Sequence, residues 1–472
     1  MKLSGYLAQA AARFPRRAAI VEPARSISYA ELVEEVQAFA DRLVQNGCEA
    51  GATIAIQLPN SIACAVAVFA ASNVSATIMM LDPALKAEET ARACAQAGAR
   101  LLLQPGATPA GERESMLVTP LECGRSAKPE TSAGEEDNVL LLSSGTSGLP
   151  KIVCRTAEPA LRIFQNTLPL GEDDRVLASL PFFHSFGFSY LLCAGLAGGA
   201  TLHLLPFTPR ETAALIERER LTVFPASPMA FRLLAQSRFQ RLPDFSSVRL
   251  AVSAGSALPP AVLADCRERF GIEIAQSYGT TESGPIALGR AAEFCAQQGW
   301  VGRPYEGVRV EILSPDGAAA GTEEEGEIAV SSPANGTGYL DLPDESAGVF
   351  RQGRVVTGDL GFLNHAGHLF VAGRRKFVLN IAGKKVSPAE VEECLLQHPA
   401  VADAQVTGAA ATDGDDRIKA TVVVTSPVTS LQLQEFCGSR LADFKVPRQI
   451  EFVEIIDRGP MGKTRATHPP GN

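Results

Sequence analysis

Tryptophan occurs once in 472 residues, and aromatic residues make up only 6% of the chain. Positive charge is also scarce: 43 Lys and Arg stand against 52 Asp and Glu, for a formal net charge of −9. That balance leaves no basic footprint for a nucleic-acid backbone, and no stretch interleaves arginine with aromatics, so no nucleic-acid partner is expected. The ten cysteines form no C-x-x-C, and the nearest two, Cys48 and Cys64, are 16 residues apart. This spacing offers neither a structural zinc site nor a disulfide framework and suits a reducing, cytoplasmic compartment. Long apolar runs are missing too. The windows near Ile62–Ala71 and Tyr190–Leu205 meet Ser, Asn, Gly or His before reaching the roughly 18 residues of a membrane span, so no span is expected. The start, Met1-Lys2-Leu3-Ser4-Gly5, lacks the hydrophobic region of a signal peptide.

What is present is length and an alternating pattern. The chain exceeds one ordinary domain of roughly 100–200 residues, and a 46% hydrophobic content is ample for more than one core. Ser28-Tyr29-Ala30-Glu31 is a capping box, and Leu32, Val36, Phe39 and Leu43 follow at helical spacing. Thr53–Leu58 reads as a strand, Ile62–Ser72 as a helix and Ala76–Leu81 as a strand. That order implies α/β with a largely parallel sheet. The alternation resumes from Arg175 to Ala287. Between Gly307 and Phe370 short strands and turns suggest an antiparallel, barrel-like module. After Gly373, about 100 residues read as a small α+β domain. The expected architecture is therefore α/β. A large N-terminal domain (1–374) has mixed and parallel sheets sandwiched with helices and carries the barrel-like module. A small C-terminal domain (375–472) follows.

Several stretches carry chemistry. Leu140–Leu142 runs as a strand into Ser143-Ser144-Gly145-Thr146-Ser147-Gly148-Leu149-Pro150-Lys151. Glycines admit backbone amides close to an anion, hydroxyls add donors and lysine adds charge, a combination suited to a polyphosphate. The spacing is not that of the common P-loop. Tyr278-Gly279-Thr280-Thr281-Glu282 offers an aromatic to stack on a base, hydroxyls for a phosphate and a carboxylate for Mg²⁺. Thr357-Gly358-Asp359 places a carboxylate that can accept both hydroxyls of a ribose. Gly462-Lys463 offers an ammonium to neutralise charge developing at an α-phosphate. His184 lies among aromatics in Pro181-Phe182-Phe183-His184-Ser185-Phe186-Gly187. Each has a plainer reading alone: a Ser/Gly turn, a polar turn with an incidental acid, an Asp in a type I turn, a solvated basic tail, a packed core histidine.

In this order, however, the stretches resemble the adenylate-forming superfamily, which includes acyl- and aryl-CoA synthetases, peptide-synthetase adenylation domains and luciferases. The likeness extends from Leu58-Pro59-Asn60 to Phe444-Lys445-Val446-Pro447-Arg448. It implies a phosphate clamp at Ser144, Gly145, Thr146, Ser147, Gly148 and Lys151. Gly255, Ser256 and Ala257 would line the adenine and acyl pocket, with Tyr278, Gly279 and Thr280 beside them and Tyr278 stacking on adenine. Thr281 would meet the α-phosphate, Glu282 the Mg²⁺, and Asp359 and Arg374 the ribose. The catalytic group would comprise Lys463, Glu282, Thr281 and His184. The acid pocket would include His184, Phe188, Ser227 and Gly279. Lys376 would be the hinge, and Gly383 and Lys384 would border a thiol channel.

The implied reaction uses ATP and Mg²⁺ to convert a carboxylic acid to acyl-AMP, releasing pyrophosphate, and then transfers the acyl group to a thiol. Phe186-Gly187-Phe188-Ser189-Tyr190 lacks the aspartate that amino-acid-activating members carry, so an aryl or aliphatic acid without an α-amino group is expected. CoA is the expected acceptor. The alternative is the phosphopantetheine of a carrier protein, since the chain has no carrier domain of its own. An inactive binding or regulatory homologue is the third reading. It should have lost Lys151, Glu282, Asp359 or Lys463, and all are present. There are departures from the pattern. Ile152 stands where glycine usually follows the lysine, and a β-branched residue tolerates φ > 0 poorly. Arg155 lies in a segment where histidine is common, Val355 replaces a tyrosine, and Phe377 replaces an acid after the hinge.

Overall fold

Ser28 opens the predicted helix as expected. Its Oγ accepts from Glu31 N at 3.3 Å while Glu31 Oε2 accepts from Ser28 N at 2.8 Å. Both orphan amides are thereby satisfied, and the helix runs Tyr29–Gln45 with Leu32, Val36, Phe39 and Leu43 buried. Helix Ile62–Asn73 is apolar all round and buried along nearly its whole length, as such a sequence requires. Ser61 caps it, accepting from Cys64 N at 3.1 Å.

The structure is a computed structural model. It describes residues 1–106, 116–121, 136–143, 151–290, 293, 299–374, 379–381, 384–386, 388–410, 416–441 and 443–456. The chain divides into two compact units. The first comprises Met1–Cys295, Val301–Glu311 and Ala329–Thr357; the second comprises Ala296–Trp300, Ile312–Ile328 and Gly358–Asn472.

The first unit holds two sheets. One orders its strands as Gly338–Tyr339, Lys151–Thr156, Asn138–Ser143, Thr77–Met80, Thr53–Ile56, Ala99–Pro105 and Met116–Pro120. Its inner pairs are parallel, and its edge pairs are antiparallel. In the other sheet, strands Ile274–Thr280, Leu250–Ala254, Val223–Ala226, Arg175–Leu177, Thr201–His203 and Ala18–Val21 lie side by side and parallel. Gly284–Gly289 and Ser26–Ser28 flank them antiparallel. Helices cover this sheet, and Ala213, Ile216, Phe224, Phe231, Leu234 and Cys266 belong to one buried cluster between them.

In the second unit, the strand Arg354–Leu363, which enters it at Gly358, pairs antiparallel with Leu369–Arg374. A short hairpin pairs Leu379–Ile381 with Lys384–Val386. A three-stranded sheet of Val401–Ala410, Asp416–Val424 and Gln449–Phe452 packs with helices Pro388–Leu396 and Ser430–Gly438 around Val391, Leu395, Ala420, Val422 and Leu433. This is the mixed α/β architecture expected, with a large N-terminal domain and a small C-terminal one. Among the described residues no helix is long and apolar enough to cross a membrane.

Candidate active site

Four neighbouring parallel strands carry one candidate segment each at their carboxyl ends, the side where open α/β sheets bind ligands. Arg175–Leu177 leads to the Pro181–Phe188 run. Val223–Ala226 ends at Ser227, Leu250–Ala254 at Gly255-Ser256-Ala257, and Ile274–Thr280 in the Tyr278–Glu282 motif. Ser227 is buried and caps helix Pro228–Gln236, accepting from Ala230 N at 3.3 Å. Gly255 turns the chain with φ +102°, and Ser256 and Ala257 are exposed beyond it.

The strand at Tyr278 runs further than the sequence pattern indicates, through Thr280, so the motif is a β-hairpin and not a strand followed by a loop. Tyr278 pairs with Ala287 and Gly279 with Pro285. A Cβ on Gly279 would lie 2.4 Å from the Gly284 carbonyl oxygen, so only glycine permits this approach. Ser283 N donates to Thr280 Oγ1 at 3.0 Å and closes the tip. Thr281 and Glu282 sit on that tip, half-buried.

The tip is held by the strand Gly338–Tyr339 and by the segment just before it. Tyr339 Oη donates to Glu282 Oε1 at 2.9 Å, and Gly336 N donates to the Glu282 carbonyl at 2.7 Å. Tyr339 pairs with Val153, opposite the strand that Lys151 begins. Side chains alternate along that strand, so Lys151, Val153 and Arg155 share one face with Tyr339. Lys151 Nζ lies 4.7 Å from the Tyr339 ring centroid, within cation–π range. The opposite face belongs to the core. Ile152 and Cys154 pack there with Met79 and Leu140. Ile152 is extended strand paired with Leu142 and has no positive φ, so the concern about a β-branched residue at this position does not arise. Val355 is likewise a buried strand residue, paired with Phe350.

Arg155 is buried, at 3% exposure. Its Nη1 donates to Ser185 Oγ at 2.9 Å and to the Thr281 carbonyl at 3.2 Å. Burial pushes its guanidinium down to about 10, against the supporting charges of Cys193 and Glu282. Beyond Ser185, the Pro181–Phe188 run is clamped by Asn60. Asn60 Nδ2 donates to Leu180 O at 2.8 Å and Ala178 O at 3.3 Å, and its Oδ1 accepts from Phe182 N at 2.8 Å. A Cβ on Gly187 would lie 2.0 Å from Pro181 O, which explains glycine there. His184 is half-buried with its ring centroid 4.6 Å from that of Phe183. Phe188 is buried in a π-helical segment, Gly187–Gly195, a distortion common near functional sites.

In the second unit, Asp359 is buried and pairs in strand register with Arg374. Lys384 pairs with Ile381. Ser144, Gly145, Thr146, Ser147, Gly148, Lys376, Gly383 and Lys463 lie outside the described residues. Tyr339 was given no role from sequence; its strand is only two residues long and carries no local signal. Among the described residues no group of three His, Cys, Asp or Glu could hold a metal. Glu282, a hard oxygen donor with one oxygen fixed by Tyr339, suits a hard divalent cation.

The model for the AMP-binding enzyme family matches residues 7–340, and the model for the AMP-binding enzyme C-terminal domain matches 390–463. The 2-succinylbenzoate–CoA ligase of Bacillus licheniformis is 30% identical over 475 residues, covering 97% of this chain and 97% of its own length. The O-succinylbenzoate coenzyme A synthetase of Bacillus subtilis, solved in complex with ATP and magnesium ion, superposes with a TM-score of 0.85 at 28% identity, covering 97% of this chain and 98% of that one. The same enzyme solved with its acyl-adenylate intermediate gives a TM-score of 0.85 at 28% identity, covering 97% and 96%.

Proposed function

The chain belongs to the AMP-binding enzyme family, and from that premise we propose its reaction and the residues that carry it. It is an AMP-forming acid–thiol ligase. A carboxylate attacks the α-phosphorus of ATP, giving acyl-AMP and pyrophosphate, and a thiol then attacks the acyl carbonyl, forming the thioester and releasing AMP. The observation that carries this reading is the convergence of Tyr278–Glu282, Gly255–Ala257, Ser227 and the His184 run at the carboxyl ends of adjacent parallel strands.

Nucleotidyl transfer needs orientation and fixed charge more than covalent help. Tyr278 would stack on adenine and Thr281 would bond the α-phosphate. Lys151, with Ser144, Gly145, Thr146, Ser147 and Gly148, would hold the β- and γ-phosphates. Magnesium, when bound, neutralises phosphate charge. Glu282 would hold it, and Tyr339 fixes the carboxylate for that task. Asp359 and Arg374 would bind ribose, and Lys463 would bridge the acid and the α-phosphate. Residues 1–374 would form the core and 375–472 a mobile domain turning at Lys376, which would bring Gly383 and Lys384 to the thiol path.

The acid is an aryl carboxylate without an α-amino group. Phe186–Tyr190 offers no ammonium-binding carboxylate, and its Phe186 and Tyr190 pack ring to ring with each other and with Phe164, which also meets Tyr305. The 2-succinylbenzoate used by the Bacillus relatives is the first candidate. CoA is the acceptor, and the setting is cytoplasmic, in keeping with the eight described cysteines, all buried and none in a disulfide. The test is pyrophosphate exchange across 2-succinylbenzoate, benzoates, cinnamates, fatty acids and amino acids, with Lys463→Ala as control. Exchange with aryl acids that is lost in the variant is expected. Exchange with no acid, or undiminished exchange in Lys463→Ala, sinks the reading. Adding CoA or a phosphopantetheinylated carrier protein then separates the acceptors.

A further inference from the structure

Arg155 is a costly residue for stability. A buried guanidinium is retained against desolvation only when its donors are well used. Its two bonds go to a neutral hydroxyl and a neutral carbonyl, and its Nη2 is buried without a hydrogen-bond partner. No carboxylate forms an ion pair with it among the described residues; the acid whose charge supports it is Glu282. The Nη2 end presses against Gly284, where a Cβ would lie 3.1 Å away, so the hairpin leaves room for this side chain and no more. An apolar residue of the same length would serve packing as well or better. The arrangement is explained by what the bonds join. Ser185 adjoins His184 in the acid-side run, and Thr281 adjoins Glu282 on the hairpin tip. These segments are separated by roughly a hundred residues of sequence and meet through one nitrogen atom.

We infer that Arg155 is a positioning residue that couples the acid-side run at Ser185 to the nucleotide-side tip at Thr281, so that ordering of one segment is felt by the other. The inference rests on the nucleotide reading of the tip proposed above. A ligand that fixes Thr281 and Glu282 holds the Thr281 carbonyl, which holds Nη1, which holds Ser185. Coupling of this kind is a free energy shared between two sites through a defined physical link.

The test is backbone amide hydrogen exchange on the full chain with and without Mg·ATP, for wild type, Arg155→Met and Ser185→Ala. In wild type, Mg·ATP should protect amides of 281–283 and, through Arg155, those of 184–188. Arg155→Met should melt at the same temperature or higher and keep protection at the tip. Its protection at 184–188 should fall roughly tenfold, the scale of a lost charged hydrogen bond. Ser185→Ala cuts only one arm and should lose the same remote protection. If Arg155→Met keeps the nucleotide-dependent protection of 184–188, the inference is overturned while the function reading stands. If Mg·ATP protects neither segment of wild type, the nucleotide reading fails and carries the inference with it.

Discussion

Tyr339 serves two site residues at once: its hydroxyl donates to Glu282 Oε1 at 2.9 Å, and its ring lies 4.7 Å from Lys151 Nζ. The proposed metal carboxylate and the proposed phosphate lysine are thus aligned by one side chain on the strand Gly338–Tyr339, which pairs with the lysine's own strand. Tyr339→Phe keeps the ring and removes the hydroxyl. A neutral hydrogen bond to a carboxylate contributes about 1–2 kcal/mol, so the magnesium concentration for half-maximal pyrophosphate exchange should rise roughly tenfold. The KM for the acid should not move. Tyr339→Leu also removes the cation–π contact and should weaken ATP as well. Magnesium titrations of the two variants check this, and identical curves for wild type and Tyr339→Phe would refute the role.

Ile152 supports a prediction of the opposite kind. It is 1% exposed, extended, and packed in the core on the face away from Lys151. Ile152→Gly restores the residue that usually follows the lysine in the resembling family. It also deletes a buried side chain and loosens a strand. The expected cost is about 4 kcal/mol of stability, read from urea unfolding, with no gain in ATP affinity in the folded enzyme. A tighter KM for ATP in Ile152→Gly would mean the loop does use a glycine there.

These residues show what was legible in the sequence. The Ser28 cap, the helix it starts and the strand before Tyr278 are decided within a few residues of chain, so local pattern finds them. The Tyr278–Glu282 motif was legible as chemistry, but its hairpin form was not, because Gly279 is required by the approach of Gly284 across the turn. The supports are distant in sequence: Tyr339 is 57 residues from Glu282, Arg155 is 126 from Thr281, and Asn60 is 120 from Leu180. No periodicity connects such pairs; only the sheet order does. Ile152 follows the same rule. The motif usually has glycine there, which raises the question of a positive φ, whereas pairing with Leu142 makes the position an ordinary strand residue.

His203 supplies the pH dependence of the fold. It sits on the strand Thr201–His203, 2% exposed, and both ring nitrogens are buried without a hydrogen-bond partner. Burial first, then the charges of Arg175 and Arg218 against that of Glu219, push its pKa down to about 4 from the ordinary 6.5. The folded protein therefore keeps the ring neutral where the unfolded chain would protonate it. Stability from this group is intact above about pH 6.5 and declines as pH falls toward 4, because the unfolded state binds the extra proton. The loss amounts to about 3 kcal/mol at most. His203→Leu removes both the titration and two unsatisfied nitrogens. It should match or slightly exceed wild type at pH 7.5, with an advantage that grows as pH falls through that window. Urea midpoints of both proteins from pH 7.5 to 4 measure this directly. A difference that stays constant across the range would mean that His203 binds its proton equally in the folded and unfolded states.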